Sequence, residues 1–172
     1  MHAGDAATAQ PAIWVASFDD PHAMAAAQRE AQLEYLAIGP GTYRSDIAMV
    51  EFGPFAVQSS RDGAHITRGA VRPDRFGLLF VHGETEASAN GWAANEAGSM
   101  VLGPGAELRC LVPQPVSWVS YTLDTAWCET ALDGHGLPRA GQFTVATDMI
   151  ARVPALRLLA LDIDALSRRD PT

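Results

Sequence analysis

The 172-residue chain contains no lysine: its 12 basic side chains are all arginine and face 20 aspartates and glutamates, for a formal net charge of -8. A segment this acidic repels phosphate backbones, which argues against direct DNA binding by these residues. Cysteine is nearly absent. Cys110 and Cys128 match no paired redox or metal-binding spacing, so both are expected to be reduced, small packing residues. Long apolar runs are missing too. No stretch approaches the length needed to span a bilayer, and the opening "MHAGDAATAQ" lacks a basic region followed by an apolar one, so the expectation is a cytoplasmic chain with neither membrane segment nor secretory leader. Also missing are a Gly-x-Ser-x-Gly elbow, a phosphate-binding loop and a dinucleotide fingerprint; "GPGTYR" has no third glycine and does not open a helix. The residues therefore support no enzymatic role and no catalytic site.

What is present is a chain that is 48% hydrophobic, enough for one domain with a sizeable core. Residues 1–14, rich in alanine and small polar side chains, read as a flexible arm. "FDDPHAMAAAQREAQ" carries a helix start, with Asp20 as N-cap and Pro21 at the first helical position, ending near Glu30. From residue 32 to 123 short runs of Val, Ile, Phe, Tyr and Thr alternate with Gly, Pro, Asp and Asn. Strands are expected near 32–38, 43–51, 54–60, 64–70, 76–82, 88–93, 99–102, 107–112 and 116–123. Asp62-Gly63 suggests a tight hairpin turn with positive φ, and "NEAG" another turn. In the strand near 107–112, Glu107 and Arg109 alternate with Leu108 and Cys110, predicting one polar and one buried face. The Gly-Pro-Gly turns in "AIGPGTYR" and "VLGPGAELR" are read as two independent uses of the same turn chemistry.

After Leu123 the period becomes helical. "DTAWCETALDGHG" predicts a helix capped by Asp124 and stopped near Gly134, and "VPALRLLALDIDALSRR" a second one. Leu156, Leu159, Ile163 and Leu166 draw an apolar stripe along the latter. That stripe either packs on the chain's own β-rich body or forms a short dimer seam. The expected class is thus mainly β with flanking helices (α+β), a barrel over 15–123 followed by two C-terminal helices over 124–172.

His82, Glu84 and Glu86 in "FVHGETEASANGW" alternate, so a strand could aim them at one face as metal ligands. The set is incomplete. The architecture resembles the cupin barrel, whose metal-binding members carry two histidines one residue apart, then a glutamate, and a further histidine in a later motif. Here Glu84 stands in the second histidine's place, and the segment after "GSMVLGPGAELRC" offers Glu107 and Arg109 with no histidine. The expectation is a domain with no metal and no cofactor.

The order of elements carries a wider resemblance. A helix, then "LEYLAIGPGTYRSDIAMVEFGPFAVQSS", then "FGLLFVHGETEASANGWAANEAGSMVLGPGAELRCLVPQPVSWVSYTL", then two helices, is similar to the N-terminal sensor domain of AraC-family transcription regulators. That likeness spans roughly residues 15–169. It implies a cupin-like jelly-roll barrel that receives a small-molecule effector or mediates homodimerisation, with DNA bound only by a separate C-terminal helix-turn-helix domain absent from this chain. The ligand contacts expected in the barrel are Arg44, His65, His82 and Arg109 as polar groups, with Trp92 and Trp118 as walls. Tyr121 is three residues from Trp118 and should face the opposite side. The dimer contacts would be Leu156, Leu159, Ile163 and Leu166. Two other readings stay open: a structural oligomerisation barrel with a filled interior, and a small metal-dependent cupin enzyme using His82.

Overall fold

The computed structural model describes residues 11–83, 85–94, 98–131, 137–147 and 165. Among these the chain is mainly β, in two antiparallel sheets. The larger sheet contains β1 (Ala12–Phe18), β3 (Ser45–Phe52), β4 (Phe55–Asp62), β6 (Arg75–His82), β9 (Gly98–Leu102), β11 (Val116–Asp124) and β12 (Phe143–Thr147), in the order β1-β3-β4-β11-β6-β9-β12. The smaller runs β2-β5-β10-β7-β8, from β2 (Ala31–Ala37), β5 (His65–Val71), β10 (Glu107–Val112), β7 (Ser88–Ala89) and β8 (Trp92–Ala93). One apolar cluster joins Val71, Leu108 and Val112 of the smaller sheet to Val81, Met100, Leu102 and Val116 of the larger, so the sheets pack face to face.

The first helix, α1 (Pro21–Ala27), begins where the sequence places it. The Asp20 carboxylate accepts the His22 amide at 3.0 Å, and Pro21 needs no amide partner. Met24 anchors the helix, fully buried with Tyr35, Tyr43 and Ile47. Asp124 likewise caps α2 (Thr125–Ala131), accepting the Trp127 amide at 3.0 Å. The second expected C-terminal helix, with Leu156, Leu159, Ile163 and Leu166, lies outside the described residues, as do most of the expected arm and of the "NEAG" turn.

Three expectations are corrected. Residues 12–14, assigned to the arm, open β1, which pairs with β3 along its whole length; "AIWVASF" alternates, and Trp14, Ala16 and Phe18 pack on the Met24 cluster. Asp62-Gly63 makes no hairpin, because β4 and β5 belong to different sheets and the chain crosses between them there. Neither residue has positive φ. Gly63 instead lies against the Arg44 backbone: its amide donates to the Arg44 carbonyl at 2.7 Å, and a Cβ there would be in ordinary contact, 3.4 Å from Arg44 backbone atoms. Lastly, the strand expected over 88–93 is two short ones around Asn90-Gly91, both at positive φ, the geometry of a two-residue hairpin turn.

Candidate functional site

Strand parity sets what lies between the sheets. On β11, Trp118, Ser120 and Thr122 point inward, while Val119 and Tyr121 pack on the opposite face with Phe80 and Val57. Trp118 and Tyr121 are therefore on opposite faces, as their spacing requires. The inward side chains line a partly open cavity in which the centre of a water-sized sphere can range over about 110 Å³. On that measure a single water needs only ~10–15 Å³, so there is room for something larger. The cavity runs along the strands. One end lies at Gln28, Glu30 and Thr122, the other at His65, Val112 and Trp118.

Polar groups at the second end are held rigidly. Asp62 is fully buried, and its carboxylate accepts from Ser45 Oγ at 2.6 Å, from Ser60 Oγ at 2.5 Å and from Trp118 Nε1 at 2.7 Å. A buried carboxylate survives only with such donors; here they also fix the indole that walls the cavity. His65 is 3% exposed. Its Nδ1 lies 2.7 Å from the Gly63 carbonyl and so carries the proton, leaving Nε2 as the ring's other polar atom. The Tyr35 ring sits 5.0 Å from the imidazole.

Across the inner face of the smaller sheet, the register aligns Tyr35, Thr67 and Cys110 in one row. All three line the cavity. Thr67 is 3% exposed; its buried hydroxyl sits beside the Tyr35 phenol, which it can meet as a hydrogen-bonding group, though not in a well-formed hydrogen bond. Burial, then the nearby Asp62 charge, pushes the Tyr35 phenol well up, and burial alone takes the Cys110 thiol to about 12. Both are protonated, neutral groups at physiological pH.

The first end is charged but self-neutralised. Glu30 Oε2 receives Arg75 Nε at 2.6 Å and Thr122 Oγ1 at 3.4 Å, and Arg75 also reaches Asp124 at 3.0 Å. Gln58 Nε2 donates to Gln28 Oε1 at 3.0 Å beside it.

Of the expected ligand contacts, only His65 and Trp118 line this cavity. Arg44 lies outside it with its guanidinium against Asp46 at 3.2 Å. Arg109 is on the outer face of β10 beside Glu107, because Leu108 and Cys110 take the inward positions. Trp92 is 61% exposed on the edge strand β8. His82, half-buried, ends β6 before Gly83 turns at positive φ. Glu86 is exposed, and Glu84 is not among the described residues. Among the described residues no three His, Cys, Asp or Glu side chains converge as a metal-ligand group. Tyr35, Gln58, Asp62 and Thr67 were not anticipated. The available signal was parity: Thr67 is two residues from His65, and Gln58, Ser60 and Asp62 recur at period two.

No helix among the described residues is long and apolar enough to cross a membrane. No family model matches the chain, and no curated protein matches it. Among solved structures it is similar to the crystal structure of the AraC-like transcriptional activator CuxR, with a TM-score of 0.54 and 8% sequence identity over 76% of this chain and 51% of that one. The chain thus spans about half the length of that protein, and the likeness is one of fold: a mainly β body also found in a transcriptional activator.

Proposed function

We propose that this chain is the ligand-sensing and dimerising domain of an AraC-type transcription regulator, its two sheets forming a cupin-like jelly roll. A small effector would occupy the intersheet cavity against His65, Thr67 and Trp118. DNA contacts would belong to a separate domain, and the setting would be the cytoplasm. The single observation that carries this reading is the cavity itself. It lies between the two sheets of a mainly β body whose fold resembles that of a transcriptional activator, and its largely apolar wall carries polar side chains from His65, Gln58 and Thr67. A bound effector acts only through its differential affinity for two arrangements of the domain, and a homodimer through Leu156, Leu159, Ile163 and Leu166 supplies a means of relaying it.

The test is thermal unfolding of the chain against a library of small acids, sugars and aromatics. An effector present at a hundredfold excess over its Kd should stabilise the fold by about 2.7 kcal/mol. That shift should disappear in Leu108→Trp or Ala89→Phe, which fill the cavity. A hit that shifts the filled and native proteins equally binds elsewhere and defeats the proposal.

A further inference from the structure

An open sheet edge offers a row of amides and carbonyls to any further strand, and natural sheets guard against this with charge, proline, bulges or short edge strands. Three of the four edges among the described residues are guarded or slight. β2 carries Glu34, ion-paired to Arg68; β8 is two residues long; β12 has five residues and no exposed large apolar side chain. β1 is different. Its seven residues, "AIWVASF", include no charge and no proline, none is at positive φ, and they pair one-to-one with β3 from Ala12–Glu51 to Phe18–Ser45 without a bulge. Among the described residues β3 is the only strand beside it. Ile13 and Val15 stand 60% and 39% exposed, while Trp14, Ala16 and Phe18 fix the strand from the other face by packing on the Met24 cluster. The edge is thus rigid before any partner arrives, which lowers the ordering cost of pairing.

We infer that β1 pairs antiparallel with β1 of a second copy of this chain, about a two-fold axis through Val15, so that the two seven-stranded sheets become continuous. Charge favours this occupant and this direction. With a net charge of -8 two copies repel over most of their surface, whereas β1 is uncharged, and Asp46, which accepts from Ser17 beside it, is paired with Arg44. In the antiparallel register Ala12 meets Phe18, Val15 meets its own counterpart, and Asp19 falls opposite Pro11. A parallel pairing would instead set Asp19 and Asp20 beside their counterparts. Closure favours it too: an edge that pairs with itself is consumed on both copies, so the product is a closed dimer and not a fibre. Seven residues against seven form about seven interchain backbone hydrogen bonds, within the ~5–15 of a typical protein interface. The contact is narrow, which places it among weak, concentration-dependent associations. It is independent of the ligand-sensing reading above and uses none of the residues proposed there for dimerisation.

Hydrogen exchange of residues 11–18, followed by mass spectrometry on the 172-residue chain at high-micromolar concentration, reports the pairing directly, because amides that enter a ladder are protected. Val15→Lys and Val15→Glu each place like charges opposite one another on the axis. Either variant alone should exchange the outward amides of β1 at least tenfold faster than the native chain, and an equimolar mixture of the two should recover the native protection. Near-ultraviolet circular dichroism checks that these exposed substitutions leave the packing of Trp14 and Phe18 intact. Native exchange as fast as that of the variants would mean an edge that is unpaired, or kept for a different chain, and would overturn a second copy as its occupant. Protection that survives both single substitutions, or a mixture that exchanges as fast as each variant alone, would overturn the two-fold pairing through Val15.

Discussion

In the seven-stranded sheet, Val119 and Tyr121 on one face and Trp118 and Ser120 on the other are all wholly or half buried. The five-stranded sheet instead presents an outer face to water, where Glu34, Arg68, Glu107 and Arg109 surround the exposed Leu36, Ile66 and Leu111. The difference separates two sources of order. Strands buried on both faces contribute stability through packing from either side, whereas the smaller sheet contributes mainly through the face that lines the cavity. The cavity between them is thus bounded by one wall that is packed from both sides at its central strand β11, the stiffer of the two, and by a thinner wall covered mainly from within.

The comparison can be broken most directly by truncating one apolar side chain in each sheet. Phe80 is 2% exposed and meets Tyr121 edge-to-face, with ring centroids 5.7 Å apart. Phe80→Ala should cost about 3–5 kcal/mol, from lost transfer energy plus the cavity left behind. Leu111, 46% exposed on the smaller sheet, should cost less than about 1 kcal/mol when changed to Ala. Urea unfolding of both variants measures the contrast. Equal losses would mean that the outer face of the smaller sheet is also covered, and the asymmetry would fail.

Asp62 tests the inner side of the stiffer wall. Asp62→Ala leaves Ser45, Ser60 and the Trp118 indole without their acceptor, and hydrogen bonds to a charged group contribute about 1.5–3 kcal/mol each, with partial relief when hydroxyls reorient. A loss of about 2–4 kcal/mol is expected, with a change in indole fluorescence. A variant as stable as the native chain would show that the carboxylate does not hold Trp118 in place.

Much of this architecture is legible in the chain because strand periodicity is a local property. Glu107, Leu108, Arg109 and Cys110 announce a two-faced strand, and the structure has Leu108 and Cys110 inward. The same periodicity had already put Arg109 on the polar face, which conflicts with its use as a ligand contact. What alternation cannot supply is which face meets water when the interior itself is polar. Gln58, Ser60 and Asp62 look like a solvated stripe and are instead 4%, 2% and 0% exposed. Asp62 also precedes a glycine, so turn chemistry claims it locally, yet the residues that pair with it, Ser45 and Trp118, are distant in the chain. Thr67 is hidden for a related reason: alternation places it on a strand, but that its side of the sheet faces the cavity is a property of the folded environment. The Asn90-Gly91 hairpin, by contrast, has an explicit local signal, an Asn-Gly pair suited to positive φ, which the single strand expected over 88–93 passed over.

The smallest expected effect sharpens the comparison from the other side. Glu34 and Arg68 lie directly opposite one another on β2 and β5, with Arg68 Nε 2.6 Å from Glu34 Oε2. The short distance suggests strength, but the two side chains are 71% and 74% exposed. Water and salt screen the attraction, and two long side chains must be held in one geometry. A double-mutant cycle with Glu34→Gln and Arg68→Gln should give a coupling of about 0.5 kcal/mol or less, falling further as salt is raised. A coupling above about 1 kcal/mol that persists in high salt would require a pair withdrawn from water. The outer face of the smaller sheet would then be shielded much like that of its partner, and the contrast between a stiff and a thin wall would have to be given up.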